Sequence, residues 1–572
     1  MDKGKWNEEY SSWASYANMP DELADELAAI SQDDKEIEDC FYRHLEFGTG
    51  GLRGVIGAGT NRINIFTVTR ATKGLADYLR HTGGNSVCIA YDTRNKSREF
   101  AEIAAGVLAA AGIQVYFFEK VKPTPMLSFA VRYKKASAGI VITASHNPPE
   151  FNGYKVYNSD GCQITDQAAS DILSFINTHE ALEPLTILSL KEAADQNLLE
   201  YIDDIDSDYY KKVVELTIRK EMISQHASEL RVLYTPLHGT GYIPIETVLL
   251  KMGFTGLEIV DEQSNPDGNF STVGTPNPEE SSVFDLAKKR ASKSKFDLIL
   301  ATDPDCDRVG VLVLDKIGKY QALNGNEIGI LLSEYLISAY KEFNTLGENP
   351  AIIKTIVTTE LIKKIAEKND VTVSETLTGF KYIGEKIGEW EQTKQNSFLF
   401  GFEESYGYLA GDFVRDKDAV IAVTLIAEMS LYYKMQQKTL IDALFEINDI
   451  YGYSNEILIS KSIKGQDGEK KIAQLMSNLR SNHKDIFRKE EIWRYSDYSV
   501  SQVIDYKTNI TESINLPKSN VLKIEFADES WIAIRPSGTE SKIKFYIGST
   551  GDSKISATTN VEVLSKKIEL IL

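Results

Sequence analysis

Cysteine is scarce: the 572 residues contain four, Cys40, Cys88, Cys162 and Cys306, scattered with no CxxC spacing. This excludes a disulfide-stapled framework and a thiolate zinc site, and fits buried or incidental thiols in a reducing cytoplasm. Long apolar runs are also missing. The most apolar longer stretch, 104–118, is 15 residues long and contains Gln114, too short to span a membrane and suited to a buried helix running into a strand. Met1-Asp2-Lys3-Gly4-Lys5-Trp6 has no apolar core, so no secretory signal is expected and the predicted location is cytoplasmic. Positive charge is short as well: 63 Lys and Arg stand against 83 Asp and Glu, a net charge of −20. Sequence-independent binding of nucleic acid needs a basic surface and is excluded on this balance. An anionic substrate would then have to be met by local basic groups. Arg53, Lys155, Arg308, Lys381, Arg535 and Lys542 lie in Gly-rich or loop-like stretches, whereas most other Lys and Arg read as solvated helix faces.

What is present is an ordinary soluble-enzyme composition, 42% apolar with a mean hydropathy of −0.25. The length exceeds any single hydrophobic core and predicts about three to five domains. Residues 1–45 read as an acidic helical arm, with Pro20 opening a helix at Asp21-Glu22-Leu23. A pattern then recurs three times, in which apolar strands deliver their C-terminal ends into polar loops. Val87 to Tyr91 ends at Asp92-Thr93-Arg94, and Ala138 to Ile142 ends at Ser145. Arg231 to Tyr234 ends at Pro236-Leu237-His238-Gly239, and Phe296 to Leu300 at Asp303. Ala351 to Val357 ends at Thr358-Thr359, and Phe398 to Phe400 at Glu403. This predicts three related α/β domains, with boundaries expected around 183–208 and 314–320. After Tyr451 a hairpin, a third strand and flanking helices predict a small α+β domain.

Chemistry concentrates in the loops. In Thr143-Ala144-Ser145-His146-Asn147-Pro148-Pro149 a serine sits where a strand ends, a position active sites favour in α/β sheets. The two prolines hold Asn147 extended, and Gly153 is expected to let the backbone turn before Lys155. Serine, histidine and lysine together supply a nucleophile and proton handlers. Gly48 to Gly54 places glycines around Arg53, suiting a loop that approaches phosphate. Asp303-Pro304-Asp305-Cys306-Asp307-Arg308 puts three carboxylates at alternate positions between two strands, a spacing that suits Mg²⁺ or a similar hard cation, with Cys306 pointing away. An EF-hand would need Gly at 308 and Glu at 314, where this chain has Arg and Leu. Glu403-Glu404-Ser405-Tyr406 offers acceptors beside an aromatic ring, suiting sugar hydroxyls. Arg535-Pro536-Ser537-Gly538-Thr539-Glu540-Ser541-Lys542 combines cations, hydroxyls and bare amides in a phosphate cradle.

With these residues in view, the chain resembles the α-D-phosphohexomutase superfamily, and within it the bacterial α-phosphoglucomutases of the branch that includes phosphopentomutases. The likeness covers nearly the whole chain, with motifs in family order at 51–54, 143–148, 303–308, 378–381, 401–407 and 535–539. The resemblance implies four domains in a heart-shaped arrangement, three similar mixed α/β domains and a C-terminal α+β domain like the TATA-binding protein, divided here as 1–205, 206–318, 319–452 and 453–572. It implies a phosphoserine at Ser145, Mg²⁺ on Asp303, Asp305 and Asp307 together with Ser145, and a general acid/base at Lys155. Arg53 and Arg308 would lie near the transferring phosphoryl, and His146 would orient Ser145. Thr378, Gly379, Lys381, Glu403 and Ser405 would meet the sugar, and Arg535, Ser537, Gly538, Thr539 and Lys542 the non-reacting phosphate.

The expected activity is interconversion of glucose 1-phosphate and glucose 6-phosphate through glucose 1,6-bisphosphate, serving carbohydrate metabolism. A small-molecule sugar phosphate would be the partner, with neither nucleic acid nor membrane involved. Ser405 favours hexoses over pentoses; phosphopentomutase and phosphomannomutase are the near alternatives. A haloacid-dehalogenase-like enzyme would carry phosphoryl on Asp303, but its signature wants Thr or Val where Cys306 stands. A catalytically silent sugar-phosphate binder is the third reading.

Overall fold

The computed structural model describes residues 3–48, 50–463, 468–487, 491–537 and 542–571. They form two compact units, one of Met1–Ala322, Gly384–Gln392 and Gly407–Tyr432, the other of Leu323–Ile383, Thr393–Tyr406 and Tyr433–Leu572.

The first unit opens with the expected helical arm, Lys3–Ala14, Asp21–Ile30 and Asp34–Phe41. It closes over its own apolar cluster, in which Trp13 and Phe41 are fully buried against Phe66. Next comes a six-stranded sheet of β1 (Gly51–Val55), β2 (Ser86–Tyr91), β3 (Gln114–Phe117), β4 (Ala138–Ile142), β5 (Phe151–Asn158) and β6 (Leu199–Tyr201). Its spatial order is β1-β5-β4-β2-β3-β6. β2 and β4 are parallel neighbours, buried at every position. Strands covered on both faces read as unbroken apolar runs, which is why both were legible. The 104–118 stretch splits as expected between the helix Ser97–Ala110 and β3.

A five-stranded sheet follows: β7 (Val232–Thr235), β8 (Leu257–Ile259), β9 (Leu298–Thr302), β10 (Val309–Leu314) and β11 (Tyr320–Leu323), in the order β11-β10-β9-β7-β8. β7 and β9 are parallel neighbours, and β10 returns antiparallel to β9.

In the second unit β12 (Pro350–Thr355) runs parallel to β13 (Thr372–Thr376) and β14 (Ser397–Glu403). The chain returns to the first unit through β15 (Gly407–Leu409) and the buried helix Ala419–Met435. The C-terminal domain is an antiparallel sheet of β16 (Tyr453–Ser462), β17 (Ile492–Asp497), β18 (Gln502–Asp505), β19 (Ile510–Ser513), β20 (Leu522–Phe526), β21 (Ser530–Pro536) and β22 (Lys542–Gly551). They are ordered β16-β22-β21-β20-β17-β18-β19. The helices Gly468–Ile486 and Lys554–Glu569 cover it through Ile472, Met476, Leu479, Val561, Leu564 and Ile568.

The thrice-repeated pattern is therefore three parallel pairs, β2 with β4, β7 with β9 and β12 with β14. One expectation changes, and the two stretches expected at domain boundaries gain detail. The 314–320 stretch is the turn joining β10 to β11 within one sheet, closed by the Asp315 carboxylate accepting from the amides of Ile317 and Lys319. The 183–208 stretch contains β6, paired with β3. Gly153 makes no turn: it lies inside β5 opposite Arg53, where a Cβ would come within 2.4 Å of the Thr143 carbonyl. Absence of a side chain there permits close strand approach.

Candidate active site

The hairpin of β4 and β5 builds the first half of the site. Ser145 follows the end of β4, and Lys155 on β5 stands opposite Val141 on β4. Arg53 on the neighbouring β1 pairs with Gly153, which brings a residue some ninety positions earlier in the chain beside the hairpin that carries Ser145 and Lys155. Ser145 has φ +53°, the left-handed region, which costs a non-glycine residue about 1–2 kcal/mol. Its amide donates to Thr143 Oγ1 at 2.8 Å. The Ser145 hydroxyl, almost fully buried, donates to Asp303 Oδ2 at 2.9 Å and lies 3.1 Å from His146 Nδ1. Burial, then the Arg308 and Arg53 guanidiniums, push His146 well below its ordinary value, so the ring is neutral.

The turn between β9 and β10 supplies the carboxylates. Asp303, Asp305 and Asp307 are buried, each with a ligand atom within 4.8 Å of the others. The amides of Asp307 and Arg308 donate to Asp303 Oδ1, folding the turn back on itself. Cys306, at φ +51°, packs its sulfur towards Gly241. Three acids this close are costly: burial, then Asp307 and Asp305, raise Asp303 well above the carboxylate range. Against the burial that would raise it, Lys155 and then Lys417 hold Asp305 below that range. Asp305 Oδ1 and Asp307 Oδ1 are buried without a hydrogen-bond partner among the described residues. Three buried carboxylates with ligand atoms this close, two of them with an unpartnered oxygen, are the donor set a hard divalent cation requires, so these residues fit a metal.

Cations ring the triad. Lys155 Nζ lies 3.0 Å from Asp305 Oδ2 and 3.9 Å from Asp307 Oδ2. Thr124 Oγ1 donates to Asp305 Oδ2 at 2.9 Å. Arg53 donates to Asn147 Oδ1 at 3.3 Å, and Arg308 to Glu279 Oε1 at 2.7 Å. Sequence reasoning missed Lys417, whose Nζ sits 3.0 Å from Asp307 Oδ2. A signal existed: Arg415-Asp416-Lys417-Asp418 puts four charges directly before an apolar helix, and Arg415, Asp416 and Asp418 are all buried. Asp416 accepts from the Tyr157 hydroxyl at 2.6 Å, which anchors the segment to β5.

The second unit carries the other sequence-assigned residues. Glu403 is buried at the end of β14, and Ser405 is half-buried in the following loop. Glu404 Oε2 accepts from the hydroxyls of Thr355 and Thr358, each at 3.2 Å; this turn ends β12 two residues earlier than predicted. The helix Gly325–Glu342 starts hard against the loop, for a Cβ on Gly325 would fall 2.0 Å from the Glu404 carbonyl oxygen. Thr378 and Gly379 are half-buried, Gly379 at φ +113°, and Lys381 lies 4.9 Å above the Tyr382 ring. Arg535, near the end of β21, faces Lys544 across the ladder and hydrogen-bonds Tyr546, a phenol raised by burial and then by Glu404. Ser537 N donates to the Lys542 carbonyl at 2.7 Å. Gly538 and Thr539 lie outside the described residues.

Models of the phosphoglucomutase/phosphomannomutase α/β/α domains I, II and III match residues 44–183, 207–316 and 324–447. A phosphoglucomutase of Staphylococcus haemolyticus (strain JCSC1435) is 41% identical over 517 residues, 90% of this chain and 92% of that protein. The crystal structure of parafusin, a phosphoglucomutase of Paramecium, superimposes with a TM-score of 0.68 at 16% identity, covering 93% of this chain and 95% of the other. The Aspergillus fumigatus N-acetylphosphoglucosamine mutase, solved with GlcNAc-6P and magnesium, gives 0.50 at 13% identity over 99% of both chains.

Proposed function

We propose that this chain, which belongs to the phosphoglucomutase/phosphomannomutase family, is a phosphoglucomutase that interconverts α-D-glucose 1-phosphate and glucose 6-phosphate. The observation that carries the reading is the Ser145 hydroxyl hydrogen-bonded to Asp303 inside a buried carboxylate triad. Such an enzyme is an isomerase acting by phosphotransfer. On this reading the chain divides at about 205, 318 and 452, with a phosphoryl-carrying loop, a metal loop, a sugar loop and a phosphate loop in successive domains.

In the proposed cycle Ser145 carries the phosphoryl group. The free hydroxyl of the bound sugar monophosphate attacks phosphorus; the new P–O bond forms as the bond to Ser145 Oγ breaks, giving glucose 1,6-bisphosphate. Lys155 takes the proton from the attacking hydroxyl and returns it as Ser145 Oγ leaves. The bisphosphate turns over, and its other phosphate goes back to Ser145 by the reverse of the same step. Arg53, Arg308 and Lys417 offset charge on the phosphoryl oxygens. His146, neutral and 3.1 Å from Oγ, orients the serine. Glu403, Ser405, Thr378, Gly379 and Lys381 are assigned to the sugar, and Arg535, Ser537, Gly538, Thr539 and Lys542 to the phosphate that is not reacting. Asp303, Asp305 and Asp307, with an oxygen of phosphorylated Ser145, would hold Mg²⁺, which supplies Lewis-acid stabilisation of phosphoryl charge. Glucose 1,6-bisphosphate also primes the serine as activator.

Among the described residues no helix is long and apolar enough to cross a membrane. The reading is tested with a panel of glucose, mannose and ribose 1-phosphates, assayed with Mg²⁺ and a catalytic amount of bisphosphate. The highest kcat/KM is expected on glucose 1-phosphate; a ribose or mannose preference would reassign the chain to a phosphopentomutase or phosphomannomutase.

A further inference from the structure

One buried cation near the site has no part in the cycle above. Arg94 follows β2, whose C-terminal end lies beside that of β4, and its side chain is wholly inaccessible to solvent. Its guanidinium donates to three carbonyl oxygens of the loop after β4, those of Ser145, Asn147 at 2.5 Å and Pro148 at 2.8 Å, and to that of Phe151 at the start of β5 at 3.2 Å. Asp92 Oδ2 lies 3.4 Å from Arg94 Nε, and Asp92 Oδ1 is itself fixed by Ser97 Oγ at 2.6 Å and the Arg94 amide at 3.0 Å. The Phe270 ring lies 4.9 Å from the guanidinium carbon. Phe270 belongs to a segment seated on the next residue, where Asn95 Nδ2 donates to Asn269 Oδ1 at 2.8 Å and Gly268 leaves no room for a Cβ beside Asn95.

A permanently charged group stripped of water is expensive unless its donors are met, and here they are met largely by main-chain oxygens of the loop that carries Ser145. The loop's own hydrogen bonds, Ser145 N to Thr143 Oγ1, Asn147 N to the Ala144 carbonyl and Phe151 N to the Pro148 carbonyl, leave the carbonyls of Ser145 and Asn147 to Arg94, and Ser145 stands in a conformation that L-residues leave when nothing holds them. A planar fork with five donors can bind several carbonyls at fixed mutual angles; an ammonium, with three donors on one atom, cannot. We propose that Arg94 is a positioning residue for phosphoryl transfer. Through the Ser145, Asn147 and Pro148 carbonyls it locks the loop so that Ser145 Oγ stays aligned on Asp303, while Asp92 and Phe270 lock Arg94.

This inference rests on Ser145 being the phosphoryl carrier. Its test is Arg94→Lys and Asp92→Asn in the full chain, followed by thermal unfolding, steady-state kinetics on glucose 1-phosphate and the phosphate content of Ser145. A lost alignment of about 1 Å costs roughly 10²-fold in the chemical step. R94K is therefore expected to unfold cooperatively, to keep KM within about threefold and to lose about 10²-fold in kcat, with D92N showing the same split more weakly. A folded R94K with kcat within about threefold of wild type overturns the proposal, as does a KM rising in step with the loss of kcat. If R94K does not fold, D92N decides by the same split; if neither folds, Arg94 is a general structural residue and the proposal fails. Phosphate on wild-type Ser145 with a fully active R94K sinks the positioning role alone, whereas its absence from wild-type Ser145 sinks the underlying reading.

Discussion

At the scale of single residues, Ser145 and the carboxylates around it make the sharpest commitments. Replacing Ser145 by alanine removes both the proposed carrier atom and the 2.9 Å bond to Asp303. Mutase activity is expected to fall by about 10⁴-fold or more, with folding retained, since covalent carriers are not replaced by their neighbours. Circular dichroism beside the kinetic assay separates the two effects. Asp305→Asn keeps the shape of the turn but removes charge from an acid whose second oxygen is buried and unpartnered. The Mg²⁺ concentration giving half-maximal activity should rise by about tenfold or more, and chelation should silence the wild type reversibly. Equal Mg²⁺ dependence in D305N and wild type would remove Asp305 from the metal site.

At the scale of elements, the β20 strand is tied to the β12–β13 layer by a buried ionic network within the second unit. Lys523 Nζ lies 2.6 Å from Glu360 Oε1, and Lys354 Nζ lies 3.1 Å from the same oxygen and 3.0 Å from Glu375 Oε1. Against the burial that would raise it, Lys354 and Lys523 hold Glu375 to about 2, from an ordinary 4.5. A carboxyl depressed in the folded state stabilises the fold fully above its unfolded value. That contribution is lost as pH falls from about 4.5 towards 2, because the unfolded chain then binds the proton more readily. Urea midpoints should drop across that window. Lys523→Met leaves Glu360 and Glu375 to Lys354 and Lys363 alone, and should cost up to about 3 kcal/mol at pH 7, while flattening the acid dependence. An unchanged acid slope in that variant would show that the network is not the element responding to pH.

Legibility also follows scale. The parallel strands were readable because doubly covered strands are unbroken apolar runs, and Ser145, Asp303 and Glu403 because each stands just past or at the end of one. Lys417 and Arg94 were not identified. Their roles come from contacts with residues dozens to hundreds of positions away, Asp307 for the first and Ser145 for the second, and no local period encodes such distances. Gly153 shows the same limit: glycine signals freedom to turn, but here the strand β5 needs room beside the Thr143 carbonyl.

For the molecule as a whole, 41% identity over nine-tenths of the chain to a phosphoglucomutase and three consecutive family domains bind the separate motifs into one chemistry. Glu403 and Arg535 belong to a different compact unit from Ser145, so substitutions there should separate binding from transfer. Glu403→Gln and Arg535→Ala are expected to raise KM for glucose 1-phosphate by about tenfold or more while Ser145 still accepts phosphate from the bisphosphate. The most direct measurement is to incubate the purified chain with glucose 1,6-bisphosphate and Mg²⁺, digest it and locate the phosphate by peptide mass. The account predicts one phosphate, on Ser145, released as glucose 6-phosphate when glucose 1-phosphate is added. Phosphate on Asp303, or wild-type turnover that Ser145→Ala leaves intact, would contradict it.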